Sequence, residues 1–231
     1  MMSGTATKLV VRSTEDQVYE ALRTEILQGI EPGTPLRLSA IADRLGVSTM
    51  PVRAALRRLE REGLVRQTAR KGAVVAPLEL QDVQEIQAIR WGIEGLAARI
   101  GARAITDAGL AAMRLHLDQI RAAAAAGDLD AFLATTYAFE DVCYASADRP
   151  RLLETVRHHR RAAQRYVLFV MGSDPSELQV GPSEAFYAAA ADRDGVATER
   201  VIQREIIGLY DRLAERMARS QAKPASGPPV S

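Results

Sequence analysis

Apolar residues recur every three or four positions along most of this chain, and the places where the rhythm breaks mark out its elements. From Thr14 to Gln28 the stripe is Val18, Ala21, Leu22, Glu25 and Ile26, with Glu25 a flaw in it. Thr14 is expected to cap that helix and Gly29 to stop it, before a turn at Glu31-Pro32-Gly33. Ser39 is then expected to cap a short helix with Ile41, Ala42 and Leu45 inward. Gly46 follows where a helix ends in the left-handed conformation, and Val47 plugs a three-residue turn. Ser48 caps a second helix, Pro51 falls in its first turn, and Val52, Ala55, Leu56 and Leu59 form its buried stripe. After Gly63, Leu64-Val65 and Ala73-Val74-Val75 read as two short strands joined by a tip from Gln67 to Gly72.

Beyond a linker at Ala76-Pro77-Leu78 no strand pattern remains. The spacing predicts helices over Asp82 to Ala104, from Thr106-Asp107 to Gly127, from Asp128 to about Ala147, and from Pro150 to about Val170. In the first of these, Val83, Ile86, Ile89, Ile93, Leu96, Ala97 and Ile100 are expected inward. Met171 to Pro182 reads as a loop, Ser183 to Ala191 as a short helix, and Asp194 as the cap of the last one. The fold class is therefore mainly α. Three helices and a small β-wing occupy 14–76, and an all-helical bundle of about six helices occupies 80–219. Met1 to Arg12 is expected to be a loose arm and 220–231, with three prolines, a disordered tail.

Charge changes the picture of the first domain. The 231 residues carry a net charge of +1, but Arg37 to Ala76 holds nine Lys/Arg against three Asp/Glu, a net of +6. Residues 1–76 have a net of +4 and the remainder −3. A helix fits the major groove of B-DNA, where arginine bonds both acceptors of a guanine edge. Met50, Arg53, Arg57 and Arg61 lie opposite the buried stripe of the second helix, and Arg53 and Arg57 are natural base readers. The basic tip, with Arg70 and Lys71, suits phosphate or the minor groove. The single cysteine, Cys143, excludes an internal disulfide, and among apolar helical residues it reads as a buried thiol, not a nucleophile. No apolar run approaches the ~18 residues a membrane helix needs, and the chain begins without a signal-like segment, so a soluble cytoplasmic protein is expected.

The stretch from Pro32 to Val75 resembles the winged helix-turn-helix of the GntR family of bacterial transcription regulators. The residues that carry the likeness are Pro32-Gly33-x-x-Leu36, Ile41-Ala42-x-x-Leu45-Gly46-Val47-Ser48, Pro51-Val52-Arg53-x-Ala55-Leu56 and Glu62-Gly63-Leu64-Val65. Thr49 departs from it, since the family usually has a DNA-binding arginine there, and Leu38 stands where an acidic residue is common. The resemblance and the helix faces together give an expected DNA-contacting set of Arg37, Ser39, Ser48, Thr49, Met50, Pro51, Arg53, Arg57, Arg70, Lys71 and Gly72. It also implies a homodimer on a palindromic double-stranded operator, because one reading helix covers too few bases.

The second part resembles the effector-binding FCD domain of the FadR subfamily. The match lies in Ile89-Arg90-x-x-Ile93-Glu94-x-x-Ala97-Ala98, the Phe139 segment, Arg165-Tyr166 and Asp194-x-x-x-Thr198. Many such domains hold a divalent metal with an aspartate, a histidine four residues later and two further histidines. Laid on this chain those positions are Thr136, Glu140, Ser183 and Glu205, none of them histidine. The only histidines are His116, His158 and His159, so no metal or other cofactor is expected. The four positions are expected to line an effector pocket together with Arg90, whose alternative partner is Glu94, four residues on. Arg157, Arg161 and Arg165 align at i, i+4, i+8, either as a solvated face or as a wall receiving a carboxylate, with Arg161 and Arg165 the expected contacts. This reading is a repressor controlled by a small organic acid. A regulator without ligand response is the alternative. A helical-bundle enzyme finds no Ser/His/Asp, Cys/His or phosphate-loop constellation to support it.

Overall fold

A computed structural model describes residues 13–69, 72–171 and 178–222. The expected N-terminal arm, the wing-tip residues Arg70 and Lys71, most of the loop after Met171 and the end of the tail lie outside the described residues. The chain divides into two compact units, Met1–Pro77 and Leu78–Ser231.

In the first unit, α1 spans Thr14–Leu27. Its cap is Ser13 and not Thr14: the Ser13 hydroxyl accepts the Asp16 N–H at 3.1 Å. Tyr19, which the stripe omitted, is buried on this helix and donates its hydroxyl to both carboxylate oxygens of buried Glu62 (2.9 and 2.7 Å). α2 spans Leu38–Leu45, so Ser39 lies inside the helix and caps nothing; the cap position falls to Arg37. The cause is upstream. Leu36 N–H bonds to Ala73 O at 2.8 Å and Pro35 bridges Val74, so the chain stays extended until Arg37 and must turn helical directly after it. Gly46 closes α2 at φ 65°, and α3 follows over Thr49–Arg61 with Ser48 extended at its cap position but making no side-chain capping bond. β1 (Val65–Thr68) pairs antiparallel with β2 (Gly72–Val75), Val65 opposite Val75 and Thr68 opposite Gly72. β1 reaches three residues, and β2 one residue, further into the tip than the sequence pattern placed them. Val18, Leu22, Ile41, Val52, Leu56, Leu59, Leu64 and Val75 form one core beneath the wing.

The second unit has α4 (Leu80–Ala104), α5 (Asp107–Ala126), α6 (Leu129–Ala145), α7 (Pro150–Met171), α8 (Gly181–Ala191) and α9 (Gly195–Ala222). Thr106, Asp128 and Asp194 cap α5, α6 and α9 by accepting backbone N–H groups of the first turn at 2.9–3.1 Å. α9 continues through Ala222, past the point where the bundle was expected to give way to a tail. α4 runs through the middle, packed on α9, α7 and α6. Its orientation corrects the expected stripe. Val83 and Ala97 are buried, but Ile89 is 43% and Leu96 47% exposed, and the covered face carries Gln87, Arg90, Glu94, Ala98, Gly101 and Ala102. Small residues face inward because neighbouring backbones come close: a Cβ on Gly101 would lie 2.0 Å from Cys143 O on α6.

Candidate DNA-reading face and effector cavity

α3 is held by its stripe of four buried residues, which turns the opposite side outward. Met50 is 71% exposed, and Thr49, Arg53, Arg57 and Arg61 are exposed with it. Arg37 at the start of α2, Arg53 and Arg57 on α3, and Gln67 and Gly72 on the wing line one groove of about 500 Å³, with Glu60 the single carboxylate among the described residues that line it. Ser39 and Ser48 are also exposed and Pro51 half-exposed, while Ser39, Ser48, Thr49, Met50 and Pro51 are not among the residues lining the groove. The arginines divide by position. Arg44 bonds Glu25 at 2.5 and 2.9 Å, and Arg58 bonds Asp16 at 3.1 Å while stacking on the Tyr19 ring. Arg37, Arg53, Arg57 and Arg61 make no hydrogen bond or ion pair among the described residues. Charge left uncompensated on one face, beside a helix of groove-filling size, is what phosphate and base edges require.

In the second unit a small cavity of about 50 Å³ lies between α4, α6, α7 and α9. Arg90, Thr136, Tyr137, Glu140 and Glu205 supply its polar lining, and apolar residues such as Phe132, Val167 and Ile202 supply the rest. Of the expected pocket residues, Arg90, Thr136, Glu140 and Glu205 come together here. Ser183 is buried but is not among the lining residues, and neither are Arg161 and Arg165. The expected arginine wall is taken up elsewhere: Arg157 bonds Asp141 at 2.7 Å, and Arg165 bonds Asp82 and the Tyr166 hydroxyl, both at 2.7 Å. The inward arginine on α7 is Arg160, which the i, i+4, i+8 row passed over. It is 3% exposed, donates twice to Glu94 Oε2 (2.9 and 2.7 Å), and also bonds Glu140 and, at 3.3 Å, Asp141. Arg90 donates to the other Glu94 oxygen at 2.6 Å and to Gln87 at 2.9 Å. Burial pushes the Glu94 carboxyl up, but the guanidiniums of Arg160 and Arg90 outweigh this and hold it below its ordinary value. Glu140 is pushed up to about 8, chiefly by burial, and burial also raises Glu205.

The family's metal does not fit this site. Glu140 is tied to a guanidinium, a second guanidinium lines the cavity, and no imidazole stands at any of the four positions. Among the described residues no three His, Cys, Asp or Glu side chains group as a metal set. Cys143 is buried, and burial pushes its thiol up to about 12, so a thiolate nucleophile is disfavoured.

An exposed, cation-bearing recognition helix with a wing, followed by a helical bundle with a polar-lined cavity, defines a winged helix-turn-helix DNA-binding regulator with a ligand domain. The comparisons agree. Residues 14–75 match the bacterial regulatory proteins of the gntR family and residues 85–207 the FCD domain. The chain belongs to the GntR family, in its FCD-bearing FadR subfamily. It is 30% identical over 193 residues to the HTH-type transcriptional repressor RspR of Escherichia coli K12, covering 82% of this chain and 84% of that one. A probable D-xylose utilization operon transcriptional repressor of Paenarthrobacter nicotinovorans is 31% identical over 153 residues, 66% of this chain and 67% of that one. In fold it is similar to E. coli McbR/YncC (TM-score 0.74, 22% identity, 91% of this chain and all of that one). A putative GntR regulator from Rhodococcus sp. RHA1 has the same fold (TM-score 0.71, 21% identity, 90% and 99%). The chain is thus a DNA-binding transcription regulator whose second domain is an effector-binding FCD domain. No helix among the described residues is long and apolar enough to cross a membrane.

Proposed function

We propose that this protein is a cytoplasmic, non-catalytic repressor that binds a palindromic operator as a homodimer and releases it when a small molecule enters the cavity between α4, α6, α7 and α9. Arg53 and Arg57 read bases from α3, and Arg37, Ser39, Ser48, Thr49, Met50, Pro51, Gly72 and the tip residues Arg70 and Lys71 complete the contact. The observation that carries this reading is the set of unpaired arginines on the exposed face of α3. Two relatives named as repressors support the sign of regulation. Dimerisation is supported by α4. Ile89, Leu96 and Ile100 fall within about 40° of one helix face at 100° per residue, with Ile89 and Leu96 exposed, while Ile93 at the edge of that face packs on the bundle core. Beside them a groove of about 530 Å³ is shared with Pro150 and Leu152. The organic acid expected from the arginine row loses Arg161 and Arg165 as its partners; of the arginines proposed for it, Arg90 lines the cavity.

The test is operator binding. An operator is first selected from random duplexes with the wild-type protein, and Arg53→Ala is then titrated against it. A lost bidentate contact costs about 1–3 kcal/mol of discrimination per half-site, so affinity should fall at least about tenfold with the fold intact by circular dichroism. Unchanged affinity would remove α3 from the reading role.

A further inference from the structure

The cavity is lined by polar atoms that have no partner, and they are of both signs. On the donor side are the hydroxyls of Thr136 and Tyr137, both buried without a hydrogen bond, and Nη2 of Arg90, which has none among the described residues. Thr136 is 6% exposed, so no bulk water completes its bonding. On the acceptor side are Glu140 Oε1, since only Oε2 is engaged by Arg160, and both oxygens of Glu205, which makes no hydrogen bond or ion pair among the described residues. A buried polar group left unmatched costs more than a matched one gains, so such an arrangement favours a ligand that supplies the missing partners.

Charge narrows the ligand further. Glu94 is shared by Arg90 and Arg160 and Glu140 is paired with Arg160, so three carboxyls stand against two guanidiniums and Glu205 is left without an ion pair among the described residues. A divalent ion would meet two fixed guanidiniums close by. A simple carboxylate could pair with Arg90 but would face Glu140 and Glu205. A simple amine could pair with the carboxyls but would face Arg90. A ligand with an ammonium at one end and a carboxylate at the other meets each wall with the complementary group.

We infer that the effector is a small free amino acid, its ammonium held between Glu140 and Glu205 and its carboxylate by Arg90, Thr136 and Tyr137. The inference rests on the cavity being the effector site. Size sets the scale: at about 10–15 Å³ per water-sized group by this measure, about 50 Å³ holds only a few such groups. Glycine, L-alanine and L-serine fit that limit better than the large apolar or aromatic amino acids.

The experiment is isothermal titration calorimetry of the full-length protein with glycine, L-alanine and L-serine, with propionate and ethylamine as the deaminated and decarboxylated counterparts of alanine. At least one amino acid should bind one per chain, and propionate and ethylamine at least about tenfold more weakly. Glu205→Gln, which keeps the shape, and Tyr137→Phe should each weaken the amino acid by about tenfold or more, and Tyr137→Phe keeps the test open if the first variant does not fold. Binding of propionate as tight as that of alanine would overturn the ammonium assignment and leave the cavity as effector site. Amino-acid binding that neither variant weakens would place the effector elsewhere and overturn both readings. No binding by any of the three amino acids would overturn the inference alone.

Discussion

Arg160 is closed in by Glu94, Glu140 and Asp141 and lies over the rings of Tyr137 and Tyr144, whereas Arg53, on an exposed turn of α3, makes no ion pair among the described residues. The same side chain therefore serves two purposes. Buried and paired, its charge orders a cavity wall; exposed and unpaired, it remains available to an external anion. The buried cluster has a titratable consequence at Glu140. Facing it are Arg160 from α7, Glu205 from α9, and Glu94 and Arg90 from α4. Its folded value of about 8 stands above its ordinary 4.5, so the folded state binds the proton more tightly than the unfolded chain. That contribution to stability is complete below about pH 4.5 and is lost as pH rises through about 8. Glu140→Gln should remove this loss. In urea titrations at pH 5 and pH 8 the variant should gain on the wild type as pH rises. A parallel pH dependence in the two proteins would mean that Glu140 ionises in the fold as easily as in water.

At the scale of an element, α4 shows what its glycines do. Gly101 lets the helix touch α6, where a Cβ would meet the Cys143 carbonyl at 2.0 Å, while Gly92 has nothing within 4 Å. Both sit in helical backbone, so the propensity gain from alanine is common to both, up to about 1 kcal/mol. Gly101→Ala should nevertheless cost about 2–3 kcal/mol, because backbone must move to admit the methyl group. Gly92→Ala should be neutral or stabilising. Urea unfolding of the two variants separates the effects, and equal midpoints would mean that α4 and α6 part without strain. The second apolar face of α4 explains why the periodic stripe was misassigned. A row such as Ile89, Ile93, Leu96 and Ile100 has the same period whether its own bundle covers it or not, and here Ile93 packs on the bundle while Ile89 and Leu96 are left exposed.

For the whole molecule, that face is where the proposed dimer is tested. Leu96→Glu places a charge in the middle of the row without touching the buried face, where Ala97 and Ala98 lie. Sedimentation should show the wild type as a dimer and the variant shifted to monomer, with operator affinity falling in step because both half-sites are then read independently. A variant that remains dimeric would move the interface away from α4.

The DNA-reading unit was legible in the sequence because local rules specify it: Gly46 and Gly63 at positive φ, Pro51 in a first turn, and a four-residue stripe whose opposite face must be exposed. The start of α2 was not legible, since a strand bridge from Pro35 to Val74, far along the chain, sets it. The cavity was half legible. Resemblance placed Thr136, Glu140, Ser183 and Glu205 at one site, and Arg90 was added from its place on an apolar helix face; the structure lines one cavity with these residues except Ser183, but Arg160 went unseen and Arg161 and Arg165 do not line it. The sequence by itself determined which segments are helices, where most of them begin and end, and that one domain is basic, because these depend on residues within a turn or two of each other. Only the tertiary structure decided which face of each helix is inside and which charges meet, because the phase of a helix in a bundle is set by neighbours that the chain brings together from a hundred residues away.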